Sequence, residues 1–120
     1  MQKLAKREEQ IMQAFWHLGK AFIKEIIVEL PEPKPHYNSV ATMVRILEEK
    51  GFLDHETFGN TFRYFPVVSK EDYQKLAFDD MVKLYFNNSY PRMLAYFAKE
   101  QKISRAEMNE ILEIIKSQKK

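Results

Sequence analysis

Between residues 11 and 65 the apolar residues change their repeat once, at Gly51, and this switch limits the available folds more than any other feature. Before Gly51, three stretches repeat at helical spacing. Ile11, Ala14, Phe15 and Leu18 fall at i, i+3, i+4 and i+7, and the pattern stops at Gly19. Ile23, Ile26, Ile27 and Leu30 form a second stripe. It ends in Pro31-Glu32-Pro33-Lys34-Pro35, where amide donors are missing and helical dihedrals are disfavoured. A third helix is expected from Asn38 or Ser39, either of which is suited to cap it, with Val40, Met43, Val44 and Leu47 on one side. After Gly51, Phe52 to Phe58 and Thr61 to Phe65 are rich in aromatic residues and threonine. They flank Gly59-Asn60, a two-residue hairpin signal, and Pro66 limits the second strand.

Helical spacing then returns. Ser69 with Asp72 is a weak capping box ahead of a stripe of Tyr73, Leu76, Ala77, Met81, Leu84 and Tyr85 that ends around Asn87-Asn88. Pro91 suits the first turn of a helix carrying Met93, Leu94 and Phe97. Ser104-Arg105-Ala106-Glu107 is a full capping box, followed by Met108, Ile111, Leu112 and Ile115 and a polar tail. The expected fold is therefore mainly α with a small β-hairpin. A winged helix-turn-helix occupies residues 1–68 and a helical dimerisation region residues 69–120.

That order places the third helix where it can enter a DNA major groove, whose donor and acceptor pattern differs for every base pair. Its polar side carries Asn38, Thr42 and Arg45, with Ser39 and Ala41 flanking them. Arg45 is suited to guanine or phosphate, Asn38 to adenine, and the two hydroxyls to bases or backbone. Winged helices also serve as protein-binding adaptors, which leaves a second function open. The region from residue 69 is too short for a comfortable core of its own, so its stripes are expected to pair with a second copy. Leu84, Tyr85, Met93, Leu94, Phe97, Ile111, Leu112 and Ile115 are the candidate dimerisation residues.

Bulk charge counts against this reading without excluding it. The net charge is +2, and residues 1–68 hold nine Lys/Arg against nine Asp/Glu, so a cationic face has to come from arrangement. With 120 residues and no cysteine, the chain is short for a multidomain enzyme, lacks thiolate chemistry and suits the cytoplasm. No apolar run approaches the roughly 20 residues of a membrane span, and the N-terminus lacks a signal-peptide core. Catalysis is not expected. His55-Glu56 lacks the second histidine of a zinc-protease motif, His17 and His36 are isolated, and Glu48-Glu49 and Asp79-Asp80 are adjacent pairs that diverge on a helix. Trp16, Phe62 and Tyr64 read as packing residues rather than base-stacking platforms. No cofactor or metal is expected.

Several blocks match a known family: Arg7-Glu8-Glu9-Gln10-Ile11-Met12 with Phe15-Trp16, Ile23-Lys24-Glu25-Ile26, Ser39 through Leu53, Gly59-Asn60-Thr61-Phe62-Arg63-Tyr64-Phe65-Pro66, and Ile103-Ser104 with Glu107 and Glu110 to Leu112. In this order the chain resembles the penicillinase repressors of the BlaI and MecI type over nearly its whole length. The resemblance implies a homodimer on a dyad operator, of a β-lactam-resistance-type or related operon. It also implies inactivation by cleavage in the C-terminal helices, caused by a membrane sensor metalloprotease of the BlaR/MecR type. Such relatives are cut at an Asn-Phe, and the matching pair here is Tyr96-Phe97. A position that is often glutamine is Ala41, and the often basic wing tip is Asn60. With the wing included, the DNA-contact set reads Asn38, Ser39, Ala41, Thr42, Arg45, Asn60 and Arg63. A copper-responsive branch carries cysteine pairs that this chain lacks.

Overall fold

The computed structural model describes residues 2–118. The elements follow the expected order: α1 (Lys6–Leu18), α2 (Ile23–Glu29), α3 (Tyr37–Glu49), β1 (Leu53–Phe58), β2 (Thr61–Pro66), α4 (Lys70–Tyr85), α5 (Tyr90–Lys99) and α6 (Arg105–Gln118). They form two compact units that divide inside α4, between Ala77 and Phe78. The sequence reading puts the boundary at 68/69. The first unit extends further because the first half of α4 packs on its core through Tyr73, with Leu76 and Ala77 partly buried against it.

In the first unit, Ile11, Met12, Phe15, Ile26, Val40, Val44, Leu47, Phe52 and Leu53 are buried in one cluster. Each such side chain contributes about 1.5–3 kcal/mol of transfer free energy relative to exposure. The hairpin closes on Gly59-Asn60 with Phe58 opposite Thr61 and Leu53 opposite Pro66. Gly59 takes a positive φ of 56°, as the first central residue of a tight hairpin turn requires. On the far side of β2, Ala21 and Tyr64 exchange two backbone hydrogen bonds of 2.9 Å, so β2 is flanked on both edges.

Side-chain bonds tie the helices to this core. Trp16 donates its indole N–H to the Val68 carbonyl at 2.9 Å and lies against the Tyr73 ring at 5.8 Å, which accounts for it as a packing residue. At the start of α1, Glu8 accepts from the Ala5 amide (3.0 Å) and from Lys50 Nζ (2.8 Å). Burial pushes this carboxyl up, but the bonds from Lys50 and Ala5 together with the Lys50 charge outweigh it and hold it below the usual value.

Tyr73 is the longest-range link in this unit. Its hydroxyl accepts from the Leu4 amide at 2.7 Å and donates to Glu9 Oε2 at 2.6 Å. Burial, reinforced by the bond to Glu9, pushes the phenol up to about 12 from an ordinary 10.0. A raised pKa stabilises the folded protonated form, so this contribution is complete below pH 10 and is lost as pH rises through about 12. Tyr73→Phe is expected to cost about 1–2 kcal/mol, because the Leu4 amide is left without its acceptor. Parallel denaturation curves of both proteins should show that difference constant from pH 7 to about 10 and shrinking above it. A difference that does not change up to pH 11.5 contradicts the assignment.

In the second unit, local capping sets the helix ends. α4 closes with Asn87 and Asn88 at positive φ (53° and 61°) and the Asn88 amide bonded to the Val82 carbonyl. The Ser89 hydroxyl caps α5 by accepting from the Arg92 amide, with Pro91 in the first turn. Ser104 and Glu107 exchange reciprocal bonds of 2.9 and 3.1 Å at the head of α6. Val82 and Met93 are the buried apolar residues of this unit. Phe86 lies against both Tyr96 and Phe97, at 5.6 and 6.1 Å between ring centroids.

One local expectation is corrected. α3 starts at Tyr37 with His36 as its cap residue and no side-chain cap bond, rather than at Asn38 or Ser39. Pro35 ends the extended segment one residue before the cap, which moves the helix start towards it and places Asn38 and Ser39 inside the first turn. Along α4 the buried position is Val82, while Leu84 and Tyr85 are 66% and 76% exposed in the single chain. No helix among the described residues is long and apolar enough to cross a membrane.

Candidate nucleic-acid interface

Helix α3 is amphipathic in the ordinary way: Val40, Ala41, Val44 and Leu47 face the core, which turns the opposite side to solvent. Asn38, Ser39, Thr42 and Arg45 are all exposed there. The starting point of the helix matters for this. With the cap taken by His36, the Asn38 and Ser39 side chains are spared that role. The Thr42 hydroxyl donates to the Asn38 carbonyl at 3.0 Å, which fixes its rotamer and leaves its lone pairs outward as acceptors. Arg45 is the only cation of α3, and among the described residues it forms no ion pair.

Ala41 does not join them. It is 8% exposed and belongs to the core cluster, because a helix stripe centred on Val40 and Val44 reaches one residue sideways. A buried methyl packs and does not reach a base.

The wing divides in the same way. Asn60 is exposed at the turn. Arg63 is instead folded onto its cross-strand neighbour, with Nε and Nη2 at 3.0 and 2.6 Å from one oxygen of Glu56 and the guanidinium 4.5 Å from the Phe58 ring centroid. Lys20 Nζ reaches the same oxygen at 3.3 Å. The bond from Arg63 is the largest influence holding the Glu56 carboxyl below its usual value, and Lys20 adds to it. Sequence reading missed Glu56, although counting outward from the two-residue turn pairs it with Arg63.

Two other cations of this unit are similarly occupied. Lys50 is on Glu8, and Lys34 Nζ donates to the carbonyls of Val28 and Leu30 at the end of α2. The starts of α2 and α3 and the wing open onto one cleft, bordered by Phe22, Lys24, Tyr37 and Thr61, so these three elements share a face. The histidines form no catalytic arrangement among the described residues. His17 pairs with Glu29 and His55 with Glu48, each at 2.7 Å. Asp54 brings a third possible metal ligand beside Glu48 and His55, but the hydrogen bond between those two already accounts for the cluster.

In the second unit the candidate dimerisation residues separate by exposure. Leu84, Tyr85, Leu112 and Ile115 are exposed, joined by Tyr96 and Ile114, while Leu94, Phe97 and Ile111 are half-buried. Met93 is 5% exposed and so packs inside its own chain instead of on the outer face. The Tyr96-Phe97 bond lies within α5, where the backbone is helical.

Three helices, a hairpin and an outward polar face on the third helix define a winged helix-turn-helix protein. Residues 4–117 match the family model for penicillinase repressors, and the chain belongs to that family, which is one of repressors and not of enzymes. The penicillinase repressor of Bacillus licheniformis is 25% identical over 118 residues, covering 98% of this chain and 92% of the relative. The methicillin resistance regulatory protein MecI of Staphylococcus aureus (strain N315) is 20% identical over 114 residues, covering 94% and 93%. Among solved structures, that of the CopR repressor is 31% identical and covers 53% of this chain and 94% of that chain, with a TM-score of 0.46.

Proposed function

We propose that the chain is a sequence-specific transcriptional repressor that binds a dyad operator as a homodimer. Residues 1–68 act as the reader and the region from residue 69 as the dimerisation arm. The observation that carries this reading is the outward set Asn38, Ser39, Thr42 and Arg45 on α3, polar, exposed and with its cation unpaired among the described residues. Those groups match base-edge and phosphate chemistry. Two copies related by a dyad set their α3 helices about one or two DNA turns apart on half-sites of matching symmetry.

A gel-shift series across the promoter of its own operon tests this. The expected result is one fragment bound far more tightly than random duplex at every salt concentration. Equal affinity for all fragments, falling with salt alike, contradicts repression at an operator and favours a protein-binding adaptor.

The relatives named for penicillinase and methicillin resistance suggest an operon of the β-lactam-resistance type or a related one. We further propose that induction proceeds by proteolysis at Tyr96-Phe97, through a membrane sensor metalloprotease. Since that bond lies in α5, the helix has to open locally before a protease can engage it. Mass spectrometry of the protein recovered from induced cells is the check, and intact chain under full derepression contradicts it.

A further inference from the structure

We propose that Glu56 suppresses non-specific duplex binding by the wing, and is thereby a specificity-determining residue although it is an anion on a DNA-binding unit. The inference rests on the DNA-binding reading above and concerns the wing, whereas that reading rests on α3.

Three observations lead to it. The hairpin register sets Glu56 directly opposite Arg63, two pairs in from Phe58 and Thr61 next to the turn. A single oxygen, Glu56 Oε1, then takes two bonds from Arg63 and one from Lys20, so two cations converge on one charge. Finally, the hairpin has other supports: the full ladder between β1 and β2, the Ala21–Tyr64 bridge and the burial of Leu53 and Tyr64. Half-exposed ion pairs of this kind contribute little to stability, so the carboxylate matters chiefly for what it does to charge.

Non-specific affinity for duplex DNA grows with the number of phosphates neutralised, at a salt slope of about 0.9 per contact. Lys20, Glu56 and Arg63 together carry a net single positive charge, and without the carboxylate they carry two. A random phosphate has to break the Glu56 bonds to recruit Arg63, with no base contacts from α3 to offset that loss. The sequence-independent part of binding is therefore weakened, and the ratio of operator to random affinity is raised by selection against the wrong target.

The test compares full-length wild type with Glu56→Gln, Arg63→Ala and the double variant, on the promoter fragment and on a random duplex of about 30 base pairs, over a salt series. Glu56→Gln is expected to bind the random duplex about 3- to 10-fold more tightly near 100 mM salt, with a slope steeper by about 1 to 2 and a lower discrimination ratio. Arg63→Ala alone should change random-duplex affinity by less than about 2-fold, and in the double variant should remove most of the gain. Unchanged or weaker random binding by Glu56→Gln overturns the proposal, as does a full gain in the double variant. Should Glu56→Gln lose its folded circular-dichroism signal, Arg63→Ala decides alone: a loss above about 5-fold on random duplex shows Arg63 already at work and overturns it. If the wild type fails to distinguish promoter from random duplex, the repressor reading falls, while the Glu56→Gln comparison on random duplex still stands or falls by itself.

Discussion

Phe15→Ala is expected to destabilise the winged-helix unit by about 3–5 kcal/mol, the largest effect of any single substitution argued for this chain. Phe15 has no solvent exposure, sits in the cluster with Ile11, Ile26 and Val44, and meets the Tyr64 ring edge-on at 6.5 Å. Truncation removes that aromatic contact and leaves a cavity where α1, the base of the hairpin and α2 come together. In a unit of this size such a loss lowers the melting temperature by about 15–30 °C. Phe62 provides the contrast. It is 45% exposed and lies tilted against the His55 ring at 4.4 Å, so Phe62→Ala should cost under about 1 kcal/mol. Thermal melts of the two variants side by side check the assignment, and a near-equal pair of values contradicts the placement of the core.

The second large effect concerns assembly. Leu84, Tyr85, Tyr96, Leu112, Ile114 and Ile115 are between 47% and 76% exposed. Large apolar side chains gathered in one short segment of a polar-surfaced chain mark an interaction surface, and the proposed dimer would cover them. Leu112→Asp with Ile115→Asp is therefore expected to give a monomer by sedimentation. Neither residue belongs to the core of the winged unit, so the melt of that unit should hold. Operator affinity should nevertheless fall by about 100-fold or more, because each half-site is then bound without the effective concentration supplied by its neighbour. A dimer that survives both charges would place the interface elsewhere.

What could be read from residues alone followed how local the responsible chemistry was. Gly19, the Gly59-Asn60 turn, Pro91 and the Ser104–Glu107 box act within a few residues of themselves, and the elements they delimit lie where the spacing puts them. The polar side of α3 was legible for the same reason, since helical period alone opposes Asn38, Thr42 and Arg45 to Val40, Val44 and Leu47. Where reading fell short, the cause was non-local or a matter of small rotations. The cap of α3 went to His36 because Pro35 shifts the start, and Ala41 is buried because the core-facing arc is wider than the stripe drawn from Val40 and Val44. Tyr73 meets Leu4 across 69 positions, a distance no window along the chain spans. That same contact carries the first half of α4 into the winged unit. Arg63 was named for its charge, yet whether a wing cation is available depends on the residue opposite it, and here that residue is Glu56.

The central claim is that the outer side of α3 meets DNA. It is tested most directly by titrating ¹⁵N-labelled full-length protein with the tightest-binding promoter fragment and following the amide and side-chain resonances. The expected changes centre on Asn38, Ser39, Thr42 and Arg45, and Arg45→Ala should weaken that binding by about 1–3 kcal/mol, roughly 5- to 150-fold, while leaving the melt unchanged. Resonances of α3 that stay still while other surfaces shift, or an Arg45→Ala protein that binds as tightly as wild type, would contradict it.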